Sequence, residues 1–108
     1  MKKNFFTAFG KRKNNLPDFP FSDKPNTACF TCSHVLEEHK PILYVSHDDD
    51  GYWSFLCGES HTEKEMRLVA LSEILEIDGS MADLAGLDYG EYAEAEDETG
   101  NWVTGREI

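Results

Sequence analysis

Alternation of apolar and polar positions is clearest over residues 42–57. Ile42-Leu43-Tyr44-Val45-Ser46-His47 is dense in β-formers, and Tyr52-Trp53-Ser54-Phe55-Leu56-Cys57 repeats the pattern after Asp48-Asp49-Asp50-Gly51. An Asp-Gly pair between two such runs signals a hairpin turn. The period of two puts Trp53, Phe55 and Cys57 on one face and Tyr52, Ser54 and Leu56 on the other. Ahead of the hairpin, 33–39 reads as a short helix or turn. It stops before Pro41, because the residue preceding a proline is pushed out of the helical region. Behind it the pattern predicts a third strand over 67–71, a short helix over 72–77 and a capped helical turn over 80–85 that stops at Gly86. Strands over 89–96 and 102–104, around a turn at 99–101, complete the chain. The fold class expected is a small α+β domain built on a central antiparallel hairpin, with two short helices.

Proline and charge divide the chain. Pro17, Pro20 and Pro25 deny regular structure to the segment before residue 27. Residues 1–24 carry six basic and two acidic groups, a net of +4, whereas residues 25–108 carry four basic and nineteen acidic groups, a net of −15. The chain therefore reads as a basic arm over 1–26 followed by an acidic domain over 27–108. Phe19 and Phe21 in the arm are expected either to pin it onto the domain or to belong to a free segment that grips acidic groups. The overall charge of −11 argues against nucleic acid and anionic membrane surfaces as partners. Apolar runs fall short of the ~20 residues that span a bilayer. Met1-Lys2-Lys3 mimics the start of a signal peptide, but the apolar stretch after it is cut off by Lys11-Arg12-Lys13. A cytoplasmic protein with reduced thiols is the expectation.

Candidate chemistry centres on three cysteines, an odd number that does not suit a secreted disulfide framework. Cys29-x-x-Cys32, on a turn ahead of the hairpin, and Cys57-x-x-x-His61, at the end of its return strand, offer four ligands of the types that hold a tetrahedral structural zinc. The reading favoured over zinc is packed, reduced cysteines and no cofactor, since Cys57 shares a face with Trp53 and Phe55, where a thiol behaves as a small hydrophobe. A thiol–imidazole pair between Cys29 or Cys57 and His34, His47 or His61 lacks any nucleophile signature around it, and no enzyme activity is expected. Asp48-Asp49-Asp50-Gly51 begins like a calcium loop, but Tyr52 fills the fifth position and strands flank the run, so a solvated turn is the reading. The excess carboxylates offer a surface for a basic partner. Asp48, Asp49 and Asp50 form one candidate patch and Glu94, Glu96, Asp97 and Glu98 another.

Several segments together carry a family resemblance: His34-Val35-Leu36, Pro41 to Asp48, Asp50-Gly51-Tyr52-Trp53-Ser54-Phe55-Leu56-Cys57-Gly58, Val69-Ala70-Leu71-Ser72-Glu73-Ile74, Asp78-Gly79-Ser80 and Leu84-Ala85-Gly86-Leu87. Over roughly residues 28–105 the chain resembles the bacterial immunity-protein-like family of the thirty-third immunity type, formerly a domain of unknown function. The resemblance implies a non-enzymatic protein that neutralises a cognate toxin, and it gives the acid a role, that of covering a basic cleft. The alternative from a different class is a small structural or zinc-stabilised accessory domain.

Overall fold

A computed structural model describes residues 19–107. The basic groups Lys2, Lys3, Lys11, Arg12 and Lys13 of the expected arm lie outside the described residues. Six strands form one sheet: β1 (Ala28–Cys32), β2 (Tyr44–His47), β3 (Trp53–Leu56), β4 (Met66–Ala70), β5 (Glu91–Glu94) and β6 (Val103–Arg106). Their spatial order is β4-β1-β3-β2-β5-β6. Helix α1 (Ser33–Glu38) follows β1 directly, and α2 (Leu71–Ile77) follows β4. Short 3-10 helices occupy Glu63–Glu65 and Gly79–Leu84. This is the α+β class the pattern predicts.

The hairpin lies at the centre of the sheet. Val45 opposes Phe55 and His47 opposes Trp53, and the turn closes through Gly51 N–H donating to the Asp48 carbonyl at 2.9 Å. Gly51 has φ of 93°, the left-handed conformation that favours glycine. All neighbouring strands run antiparallel except β1 and β3, which are parallel with Phe30 level with Ser54. That pairing corrects one expectation. The sequence places Cys29 and Cys32 on a turn ahead of the hairpin, whereas the structure makes 28–32 an inner strand of the sheet.

The core lies on one face of the sheet. Cys29, Val45, Trp53, Phe55 and Ala93 meet Val35 of α1, Leu71 and Ile74 of α2, and Met81 and Leu84 of the second 3-10 helix. Phe21 completes it, edge-on to Trp53 with ring centroids 4.9 Å apart, and Phe19 packs at the margin. Of the two expectations for these phenylalanines, the pinned segment is the one observed. Thr31 is fully buried among these side chains, and its hydroxyl donates to the Phe55 carbonyl at 2.6 Å, tying β1 to β3 from the side-chain level. His47 is a core histidine: it stacks on Trp53 at 3.9 Å, and its Nδ1 lies 2.9 Å from the Leu87 carbonyl. Among the described residues no helix is long and apolar enough to cross a membrane.

Candidate metal centre

The parallel pairing of β1 with β3 sets the geometry of the site. Parallel neighbours end on the same side of a sheet. With Phe30 level with Ser54, the last residue of β1, Cys32, arrives beside the last residue of β3, Leu56. Cys57 is the next residue. Gly58 then turns the chain at φ 89°, and the loop brings His61 back. On the other side, α1 starts immediately after Cys32, so His34 sits in its first turn. Ligand atoms of Cys32, His34, Cys57 and His61 all lie within 4.8 Å of one another. Cys57 Sγ is 3.4 Å from His34 Nδ1 and 3.3 Å from His61 Nε2. This cluster can hold a metal ion.

Three of the four residues predicted from the sequence meet here, namely Cys32, Cys57 and His61. Cys29 does not, and His34 takes its place. The reason is the period of a strand. Residues three apart on a strand face opposite ways, so Cys29 shares the core face with Thr31 while Cys32 leaves the strand at its end. Cys29 is fully buried in the hydrophobic core. Burial pushes its thiol up to about 12, with the charge of Glu73 adding to the effect. Such a thiol stays protonated and inert. The usable sequence signal is a short spacing, Cys32-x-His34, paired with Cys57-x-x-x-His61; the more familiar Cys-x-x-Cys hides it.

His34 has an orienting partner. Its Nε2 lies 3.3 Å from Glu65 Oε2, while Nδ1 faces Cys57. With the proton on Nε2 donated to the carboxylate, the Nδ1 lone pair is free to ligate. A carboxylate behind a histidine in this way fixes the tautomer and raises ligand basicity. Glu65 is itself held: its Oε1 accepts the Thr62 N–H at 2.9 Å. That backbone hydrogen bond, followed by His34 and His61, holds the Glu65 carboxyl below its ordinary range. One side chain thus links α1 to the loop that carries His61. Replacing it should loosen the site without removing a ligand. Glu65→Gln is expected to weaken metal binding about 10- to 100-fold, read by competition against a chromogenic chelator. Unchanged affinity would remove Glu65 from this role.

Burial raises the Cys57 thiol, the Glu59 backbone N–H lowers it, and neighbouring Cys32 raises it further. A divalent cation among these ligands would favour the thiolate form of Cys57.

The acidic residues proposed for partner binding fall at opposite ends of the sheet. Asp48, Asp49 and Asp50 lie at the β2–β3 turn beyond His47. Because His47 opposes Glu91 and Tyr44 opposes Glu94, the segment holding Glu96, Asp97 and Glu98 lies beyond Tyr44. Asp48 is partly buried; desolvation, then Glu107, raises its carboxyl, against a lowering hydrogen bond from Ser46. A carboxyl raised in the folded state binds its proton more tightly there than in the unfolded chain. The ionised form therefore costs stability at neutral pH, and this cost vanishes below the unfolded value. Asp48→Asn is expected to melt slightly higher than the parent at pH 7 and to match it near pH 3; a lower melting point at pH 7 would refute this.

Comparison with protein-family models, with curated proteins and with solved structures gave no match. The resemblance to the immunity-protein-like family therefore rests on the residues quoted for it.

Proposed function

We propose that the chain is a non-enzymatic protein-binding module whose fold is fastened by a structural zinc ion on Cys32, His34, Cys57 and His61. The observation that carries this reading is the convergence of two thiols and two imidazoles within 4.8 Å. A tetrahedron with Zn–S of about 2.3 Å and Zn–N of about 2.0 Å has ligand atoms roughly 3.3–3.8 Å apart. The contacts of Cys57 with both histidines already fall in this range. Four protein ligands fill a tetrahedral zinc, which then lacks the open position that catalysis requires. Calcium and magnesium prefer oxygen donors, so sulfur and nitrogen favour zinc. The acid supports binding of a basic protein, and the toxin-neutralising role that the resemblance implies is the specific form of that binding. Purified without chelators, the protein is expected to hold one equivalent of zinc. Less than about a tenth of an equivalent, in a folded sample, would end the zinc reading.

A further inference from the structure

We propose that a groove between α1 and the β5–β6 turn receives an arginine or lysine side chain of a partner protein, an inference that rests on the binding-module reading above. The groove has a volume of about 390 Å³, and Val35, Ile42, Ile77 and Trp102 supply its apolar lining. Asp78, Asp97 and Glu98 stand around it. This is where the C-terminal acidic patch acquires a shape: Asp97 and Glu98 line a concave site beside a half-buried tryptophan.

The carboxylates are positioned and have capacity left. Asp78 Oδ1 accepts the N–H and hydroxyl of Ser80 at 3.0 and 2.6 Å. Asp97 Oδ1 accepts the same pair from Thr99, also at 3.0 and 2.6 Å. The second oxygen of each carboxylate has no hydrogen-bond partner among the described residues. Lys40, also on the rim, pairs with Glu59 at 3.4 Å, and among the described residues no cation forms an ion pair with Asp78, Asp97 or Glu98.

Charge complementarity selects the occupant. Residues 25–108 carry −15, which repels phosphates and draws cations. A guanidinium or ammonium over the indole of Trp102 gains a cation–π contact. Its aliphatic stem suits Val35, Ile42 and Ile77, since long basic side chains bury the stem and keep the charged head among polar groups. The volume sits at the low end of ligand pockets, a size for one long side chain with its flanks. The metal centre bears on this groove because Cys32 and His34 fix the start of α1, the helix that contributes Val35.

The test uses the isotope-labelled full chain, loaded with zinc, at low salt. The probes are acetyl-Gly-Leu-Arg-Leu-Gly-amide, its citrulline analogue of the same shape without charge, and its glutamate analogue. The arginine peptide is expected to shift the Trp102 indole N–H and the amides near Asp78 and Asp97, and to bind about tenfold more tightly than the citrulline peptide. Glu98→Lys, an exposed change, should weaken it about tenfold, and Asp49→Asn with Asp50→Asn at the far end of the sheet should not. Equal affinity for citrulline, shifts confined to another face, self-association in place of peptide binding, or no shift at all would each overturn the proposal. Zinc measured on the same sample separates the two levels. One equivalent of zinc with a silent groove overturns this inference alone, whereas a folded, zinc-free protein overturns the zinc-fastened form of the reading beneath it.

Discussion

Stripping zinc from the purified protein is expected to unfold it. Structural zinc contributes an apparent ~10–16 kcal/mol of folding free energy in small zinc domains at neutral pH. A domain of this size has a net stability of about 5–15 kcal/mol. The first quantity is as large as the second, so the metal-free chain loses the cooperative transition that the loaded chain shows. The ligands lie on two pieces of chain far apart in sequence, the β1–α1 junction at 32–34 and the loop after β3 at 57–61. Calorimetry with and without a strong chelator, with metal content measured in parallel, reads the effect. Cys57→Ser should reproduce it, because it removes the ligand in contact with both histidines. Cys29→Ala is the control: it should keep full zinc and lose only about 1–2 kcal/mol, the ordinary cost of trimming a small core side chain. An unchanged melting temperature after chelation, with zinc shown to be gone, would refute the structural role.

Phe21→Ala should be among the most damaging single changes outside the metal centre. The ring is 2% exposed and packs edge-on against Trp53 at 4.9 Å and Phe55 at 6.2 Å. It stands where a proline-containing segment meets the sheet. Phenylalanine-to-alanine changes in cores cost about 3–5 kcal/mol. For a domain this small, each kilocalorie lowers the midpoint by roughly 4–8 °C, which gives a drop of about 12 °C or more. The loss also loosens Trp53, whose indole N–H donates to Asp23 at 3.2 Å on the same segment. Urea denaturation of parent and variant, with equal slopes, measures the difference. A loss below about 1 kcal/mol would show that the segment is not part of the core.

Local pattern made much of the fold legible. The β2–β3 hairpin, the strand at Met66–Ala70 and the helix at Leu71–Ile77 all follow from period and punctuation, because each is fixed by residues close in sequence. Strand β1 escaped because its content is Ala-Cys-Phe-Thr-Cys, and the cysteine spacing suggested a metal-binding turn. Its partners are β3 and β4, so nothing nearby in sequence announces it. The error at Cys29 has the same root: once 28–32 is extended, Cys29 and Cys32 cannot share a ligand set. From the sequence His34 reads only as a possible imidazole partner for a thiol, and Glu65 does not enter the reading, because the role of each depends on where α1 begins and on a loop that folds back. The two acidic patches were visible as composition, but only the sheet register shows that they point away from each other.

The parallel pairing of β1 and β3 also governs the order of assembly. Hairpin β2–β3 closes over the five residues 48–52 and can form early. By contrast, Phe30 meets Ser54 only across twenty-four positions of chain, and Ala28 meets Ala70 across forty-two. Contacts that join distant positions are slow to make, since loop closure must precede their reward. The thiols of Cys32 and Cys57 become neighbours only at that later step. A metal ion bound there only once both strands are in place would leave the folding rate nearly untouched and slow escape from the native state. On the zinc reading, the protein's persistence in time, and not only at equilibrium, would then be set at the seam between these two strands.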